Sequence, residues 1–108
     1  MKLSKKDARR FSRRGVEGWA YSTDSFPMSC AHISVNGIHG RIKNKKSNRL
    51  YFVISGSGEF DANGRKLKVG AGDVVLIAKN TPYNYKGRMK LLLVDSPAFN
   101  PNDDVELE

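Results

Sequence analysis

Histidine and cysteine are scarce in this chain: His32, His39 and Cys30 are all there is of either. A single cysteine cannot close an internal disulfide, so a disulfide-stapled scaffold is excluded. Two imidazoles and one thiol do not make a metal cluster unless carboxylates join them. Acid is scarce as well, with 11 Asp and Glu against 19 Lys and Arg and a formal net charge of +8. No apolar run reaches the length of a membrane span, and the N-terminus lacks the hydrophobic stretch of a secretion signal. A cytoplasmic protein is therefore expected. Also missing are a glycine-rich phosphate loop, a nucleophile elbow, paired catalytic carboxylates and a CxxC pair. The 108 residues suit one domain, long enough to bury one core unaided.

What the chain does have is β pattern punctuated by turns. Leu50-Tyr51-Phe52-Val53-Ile54 reads as a buried strand ended by Ser55-Gly56-Ser57-Gly58. Asn63-Gly64 is a strong hairpin signal, because both central turn residues must tolerate positive φ. Lys66–Val69 alternates polar and apolar. Gly70-Ala71-Gly72-Asp73 turns the chain, and Val74–Ile77 reads as a second buried strand. Tyr83-Asn84-Tyr85 alternates again, and Leu91–Val94 is another buried run.

Upstream, Trp19–Ser22 forms a strand. Met28–Val35 alternates with Ala31, Ile33 and Val35 on one face and Met28, Cys30 and His32 on the other. Asn36-Gly37 signals a turn, and Ile38–Asn44 a strand with His39, Arg41 and Lys43 sharing a face. Ser4 and Asp7 resemble a capping box, which predicts a short helix from about Lys5 to Arg13, broken by Gly15 and Gly18. About eight short strands with almost no helix argue for an all-β sandwich or barrel.

Charge is unevenly spread. Residues 1–14 carry seven Lys and Arg against Asp7. Arg41, Lys43, Lys45, Lys46 and Arg49 form a second basic group, and Asp103, Asp104, Glu106 and Glu108 make the tail acidic. This pattern fits a solvated basic face with some head-to-tail attraction. It also fits polyanion or nucleic-acid binding through the basic N-terminus.

From about Gly37 to Val94 the chain resembles a small single-domain cupin, a jelly-roll β-barrel. Gly56, after the aromatic-rich strand Leu50–Val53, matches the end of the family's first motif. Gly72-Asp73 opens the second, and Asn80-Thr81-Pro82-Tyr83 fills its later half. The resemblance implies a barrel over residues 19–96, preceded by a basic segment with a short helix over 1–18 and followed by an acidic tail over 97–108. It also implies a homodimer, paired through sheet edges or exchanged strands. The family's metal ligands, three histidines and a glutamate, are all substituted. Their positions fall on Arg49, on Tyr83, and on Lys43 and Lys45 or Ile42 and Asn44, according to the spacing used. No metal or other cofactor is expected.

Alternation places Arg49 and Tyr51 inside such a barrel, with Tyr83 and Tyr85 opposite. With Arg41 they make an expected ligand site for a small polar or anionic molecule such as a sugar or sugar phosphate. An enzyme of sugar isomerase or epimerase type is the alternative, metal-independent or with a displaced metal, in which His39 and Tyr83 would be base and acid.

Overall fold

The structure is a computed structural model that describes residues 1–107. In chain order the strands are β1 (Arg9–Arg13), β2 (Val16–Tyr21), β3 (Ser29–Ile38), β4 (Ile42–Asn44), β5 (Asn48–Ala62), β6 (Arg65–Gly70), β7 (Val74–Ile77), β8 (Tyr83–Ser96) and β9 (Asp104–Glu106). All pairings are antiparallel. They join one sheet in the order β1-β2-β3-β8-β4-β9, with β5 along the other side of β8 and carrying β6 and β7. The sheet curls on itself into the expected jelly-roll barrel.

The spine is the pair β5 and β8, and both are longer than the sequence suggests. Ser55–Gly58 does not end β5. The strand continues through a bulge between Val53 and Ser55. Glycines make the crossing of the two strands possible: a Cβ on Gly87 would lie 2.6 Å from the Gly58 Cα. Beyond the bulge, Asn63 (φ 52) and Gly64 (φ 82) make the expected two-residue turn into β6.

The concave side holds the core. Val53, Phe60 and Leu91 are fully buried there, with Ala31, Ile33 and Val35 from the predicted face of β3. The runs 50–54 and 74–77 are one-sided rather than fully buried. Phe52, Ile54, Val74 and Leu76 point outward and are exposed.

The expected N-terminal helix is absent. Ser4 N–H does bond the Asp7 carboxylate at 2.7 Å, but the turn stops after Lys5–Asp7, a single 3₁₀ turn. Residues 9–13 pair with β2 instead, in register Phe11↔Gly18. A helix here would have had only Ala8 and Phe11 to bury. As a strand, Phe11 packs on the core while the backbone gains a sheet partner. Asn36-Gly37 is not a turn either, since β3 runs on to Ile38. The expected strand 38–44 shrinks to Ile42–Asn44, leaving His39-Gly40-Arg41 as an irregular connection. Residues 9–18 and the tail strand β9, both expected outside the barrel, belong to its sheet.

The Gly58–Gly87 crossing yields a direct test. Gly87→Ala meets backbone on the facing strand and should cost roughly 3 kcal/mol of stability. Gly64→Ala, in open space at the hairpin tip, should cost only about 1 kcal/mol. Denaturant midpoints of the two variants check the contrast.

Candidate active site

The site is built on a buried cation. Arg49 points inward from β5 and is 5% exposed. Its Nε donates to Asp95 Oδ1 at 2.9 Å, its Nη1 to the Tyr83 hydroxyl at 2.7 Å and its Nη2 to Asp104 Oδ1 at 3.0 Å. Asp95 is the register partner of Arg49 across β5 and β8. Asp104 arrives from β9, which β4 holds beside the barrel, and also accepts from Asn44 Nδ2 at 2.9 Å. The Phe99 ring lies over the guanidinium. Burial alone would pull the Arg49 pKa down, but the carboxylates of Asp95 and Asp104, with the hydrogen bond to the Tyr83 hydroxyl, hold it protonated. Burial pushes the Asp95 carboxyl up, against the pull of Arg49.

In front of this brace lies a cavity of about 260 Å³. His39, Arg49, Tyr51 and Tyr85 line it, together with Phe11, Ala31 and Leu93. The Tyr51 and Tyr83 hydroxyls share a hydrogen bond of 2.7 Å. Tyr85 packs against His39, with ring centroids 4.6 Å apart, and against Tyr51 at 5.3 Å. Burial raises the pKa of all three phenols, so they are protonated donors at neutral pH.

His39 is defined more sharply than the sequence allowed. Its Nδ1 lies 2.8 Å from the Gly40 carbonyl. A carbonyl only accepts, so Nδ1 carries the proton and Nε2 is the bare, basic nitrogen. Burial, with Arg13 and Arg49 nearby, lowers the imidazole pKa to about 4, against the pull of the Gly40 bond and Asp104. The ring is thus neutral at pH 7. Arg13 in turn is bound by Glu106 of β9 at 3.0 Å.

Of the residues expected from the sequence, His39, Arg49, Tyr51 and Tyr85 meet at the cavity. Two expected placements need correction. Tyr83 does not line the cavity but stands one layer behind it, bonded to Arg49 and Tyr51. Arg41 is exposed and away from the cavity, because the chain around His39 is not a strand and the expected shared face does not exist. Arg49 itself is engaged by protein on all three nitrogens, so it braces the site before it can recognise an anion.

Sequence reading missed Asp95, Asp104 and Arg13. Asp95 carried a signal: it continues the inward alternation of Leu91 and Leu93. Asp104 had no local signal in an acidic tail.

The implied metal positions do not fit a divalent cation. Inward orientation selects Ile42 and Asn44 over Lys43 and Lys45. Ile42 offers no donor, the Asn44 Oδ1 already accepts from the Lys46 and Ser47 amides, Tyr83 is a protonated phenol and Arg49 is a cation. The nearby carboxylates are already paired with Arg49. Among the described residues no three His, Cys, Asp or Glu side chains cluster as ligands.

Comparison with known proteins agrees with this architecture. Residues 31–95 match the Cupin domain family. No curated protein sequence matches the chain. Among solved structures, Streptomyces Pac13, described as a unique nucleoside dehydratase, is similar at 28% identity and a TM-score of 0.92, covering 100% of this chain and 91% of that one. Uridine complexes of three Pac13 variants match equally well, one with a histidine changed to glutamine and two with a tyrosine changed to phenylalanine. Bacillus subtilis oxalate decarboxylase, at 19% identity and a TM-score of 0.83, covers 97% of this chain and 31% of its own. That likeness speaks to the fold alone.

Two measurements check the electrostatics. NMR titration of the His39 ring should show it neutral until the pH nears 4, where an ordinary histidine titrates near 6.5. As pH falls from 6.5 to 4 the unfolded chain takes a proton that the folded one refuses. Stability is therefore whole above that window and falls within it, by roughly 3 kcal/mol in all. In denaturant melts Asp95→Ala should cost roughly 3–5 kcal/mol, because it strands a buried cation. Asp104→Ala, at a partly exposed carboxylate, should cost clearly less.

Proposed function

The chain belongs to the Cupin domain family, and within it we propose that this protein binds a nucleoside or a similar hydroxylated ring compound in its barrel and removes water from it without a metal. One coincidence carries the reading. A histidine and two tyrosines are the residues changed in the uridine-bound Pac13 variants, and His39, Tyr51 and Tyr85 stand together at this cavity. The spacing agrees. The two Pac13 tyrosines are 34 positions apart, as are Tyr51 and Tyr85. The Pac13 histidine precedes the first tyrosine by 13 positions, and His39 precedes Tyr51 by 12.

Loss of water breaks a C–H and a C–O bond on adjacent carbons and forms a C=C bond. His39 Nε2 accepts the proton from carbon. The imidazolium so formed, held beside Arg13 and Arg49, is a stronger acid than either phenol and returns that proton to the leaving hydroxyl. Tyr51 and Tyr85 act as hydrogen-bond donors that hold the substrate oxygens. Tyr83 and Arg49 orient Tyr51 from behind. A base this weak removes only an acidified proton, such as one next to a carbonyl. An unmodified nucleoside should therefore bind and not react.

Binding without turnover is the competing reading, favoured by the burial that keeps the phenols from ionising. Calorimetry with uridine tests the ligand class, and mass spectrometry for loss of one water from carbonyl-bearing nucleosides tests the reaction. His39→Gln should retain uridine binding and lower turnover at least ~100-fold, while Tyr85→Phe should weaken both. Absence of nucleoside binding would sink the proposal. Binding with no water lost from any such substrate would leave the competing reading in its place.

A further inference from the structure

We infer, as a refinement that rests on the nucleoside reading above, that the ligand of this cavity carries an anionic group, a phosphate or a carboxylate, and that Arg13 holds it. Alternation along β1 turns Arg9, Phe11 and Arg13 to the cavity, which all three line. Arg10, between them, stands on the outer side over Trp19. The basic N-terminal segment is therefore not one solvated face. Two of its cations belong to the site.

The charges along the cavity do not cancel. Both acids that line it, Asp95 and Asp104, are bound to Arg49. Among the described residues Arg9 makes no ion pair. Arg13 makes one, through Nη2 to Glu106 at 3.0 Å. The Glu106 side chain is 72% exposed, and a pair so open to water is weak. A guanidinium presents a planar fork of five N–H donors that matches the oxygens of a carboxylate or a phosphate. Glu106 engages one arm of that fork. The remaining donors are available to an anion on the ligand, with which Glu106 competes.

Arg13 also stands beside the proposed base. A Cβ built on Gly40 would lie 3.9 Å from Arg13 Nη2, so the guanidinium borders the connection that carries His39. A sugar carbon facing His39 brings a substituent one or two bonds away toward Arg13. Arg9 lies four residues back, about 13 Å along the strand. With the net charge of +8 it contributes to a field that draws anions to the cavity.

The test is calorimetry on the full chain, at low and high salt, with uridine, uridine 5′-monophosphate, uridine-5′-carboxylate, ribose and ribose 5-phosphate. At low salt the better of the two anionic nucleosides should bind at least ~10-fold tighter than uridine, the scale of one charge-assisted hydrogen bond. Salt should erode that preference. Whichever of the two binds tighter tells phosphate from carboxylate. Arg13→Gln should abolish the preference. Arg10→Gln removes the same charge from the outer side of the same strand and should keep it. Thermal melts verify folding. Should Arg13→Gln not fold, Glu106→Gln carries the test: releasing Arg13 should strengthen anion binding several-fold, and no gain would overturn the inference. Uridine bound as tightly as either anion would overturn it and leave the nucleoside reading standing. A preference that survives Arg13→Gln, or that falls equally in Arg10→Gln, would mark a diffuse basic face and overturn it as well. Binding of ribose 5-phosphate alone, lost in Arg13→Gln, would uphold the inference and end the nucleoside reading. No binding of any of these compounds would overturn both.

Discussion

The barrel is closed around a guanidinium that cannot be left alone. A buried arginine is tolerated only where hydrogen-bonding partners and opposite charge replace the water it has lost. Arg49 obtains them from three places in the chain: Asp95 across the β5–β8 ladder, Tyr83 at the far end of β8, and Asp104 from the tail. Those demands fix more than one side chain. They bring β9 to the barrel wall and hold Tyr83 behind Tyr51. They also bring Glu106 to the strand that carries Arg13. The acidic tail is therefore a structural part of the site.

This arrangement divides the polar interior into two tiers. Behind, Arg49, Tyr83, Asp95 and Asp104 satisfy one another and present little unspent hydrogen-bonding capacity. In front, His39, with its free ring nitrogen, and Tyr51 and Tyr85 line the cavity. The rear tier also tunes the front one, since the field of Arg49, with Arg13, helps keep the His39 ring neutral. Barrels of this family can place a metal at this depth. Here Arg49 and Tyr83 stand at two of the positions where the family resemblance places metal ligands, and they bond to each other instead.

The sheet is also apolar on both sides. Its concave face packs the core, while its convex face leaves leucine, valine and phenylalanine in water. The strand runs read from sequence as fully buried, 50–54 and 74–77, are thus one-sided strands with an apolar outer face. Periodicity could not show this, because a run that is apolar at every position looks the same whether its second face meets protein or solvent.

Local physics carried the sequence a long way. The Asn63-Gly64 turn, the inward set Ala31, Ile33 and Val35, and the alternation that aims Arg49, Tyr51 and Tyr85 inward are short-range properties, and they are realised as read. Where long-range pairing competes with local preference, the sequence could not decide. Ser4 and Asp7 form the expected cap, yet the residues after them join a sheet edge whose partner lies outside any local window. His39 reaches the cavity only because the chain leaves β3 irregularly, which no alternation pattern predicts. Asp104 meets Arg49 from 55 residues away. The sequence by itself determined most of the strands, the Asn63-Gly64 turn and the inward faces of β3, β5 and β8, since these follow from side-chain period and backbone conformation. Only the tertiary structure decided which acids neutralise Arg49, which tyrosine touches the cavity and which nitrogen of His39 is free, since each depends on groups brought together by folding.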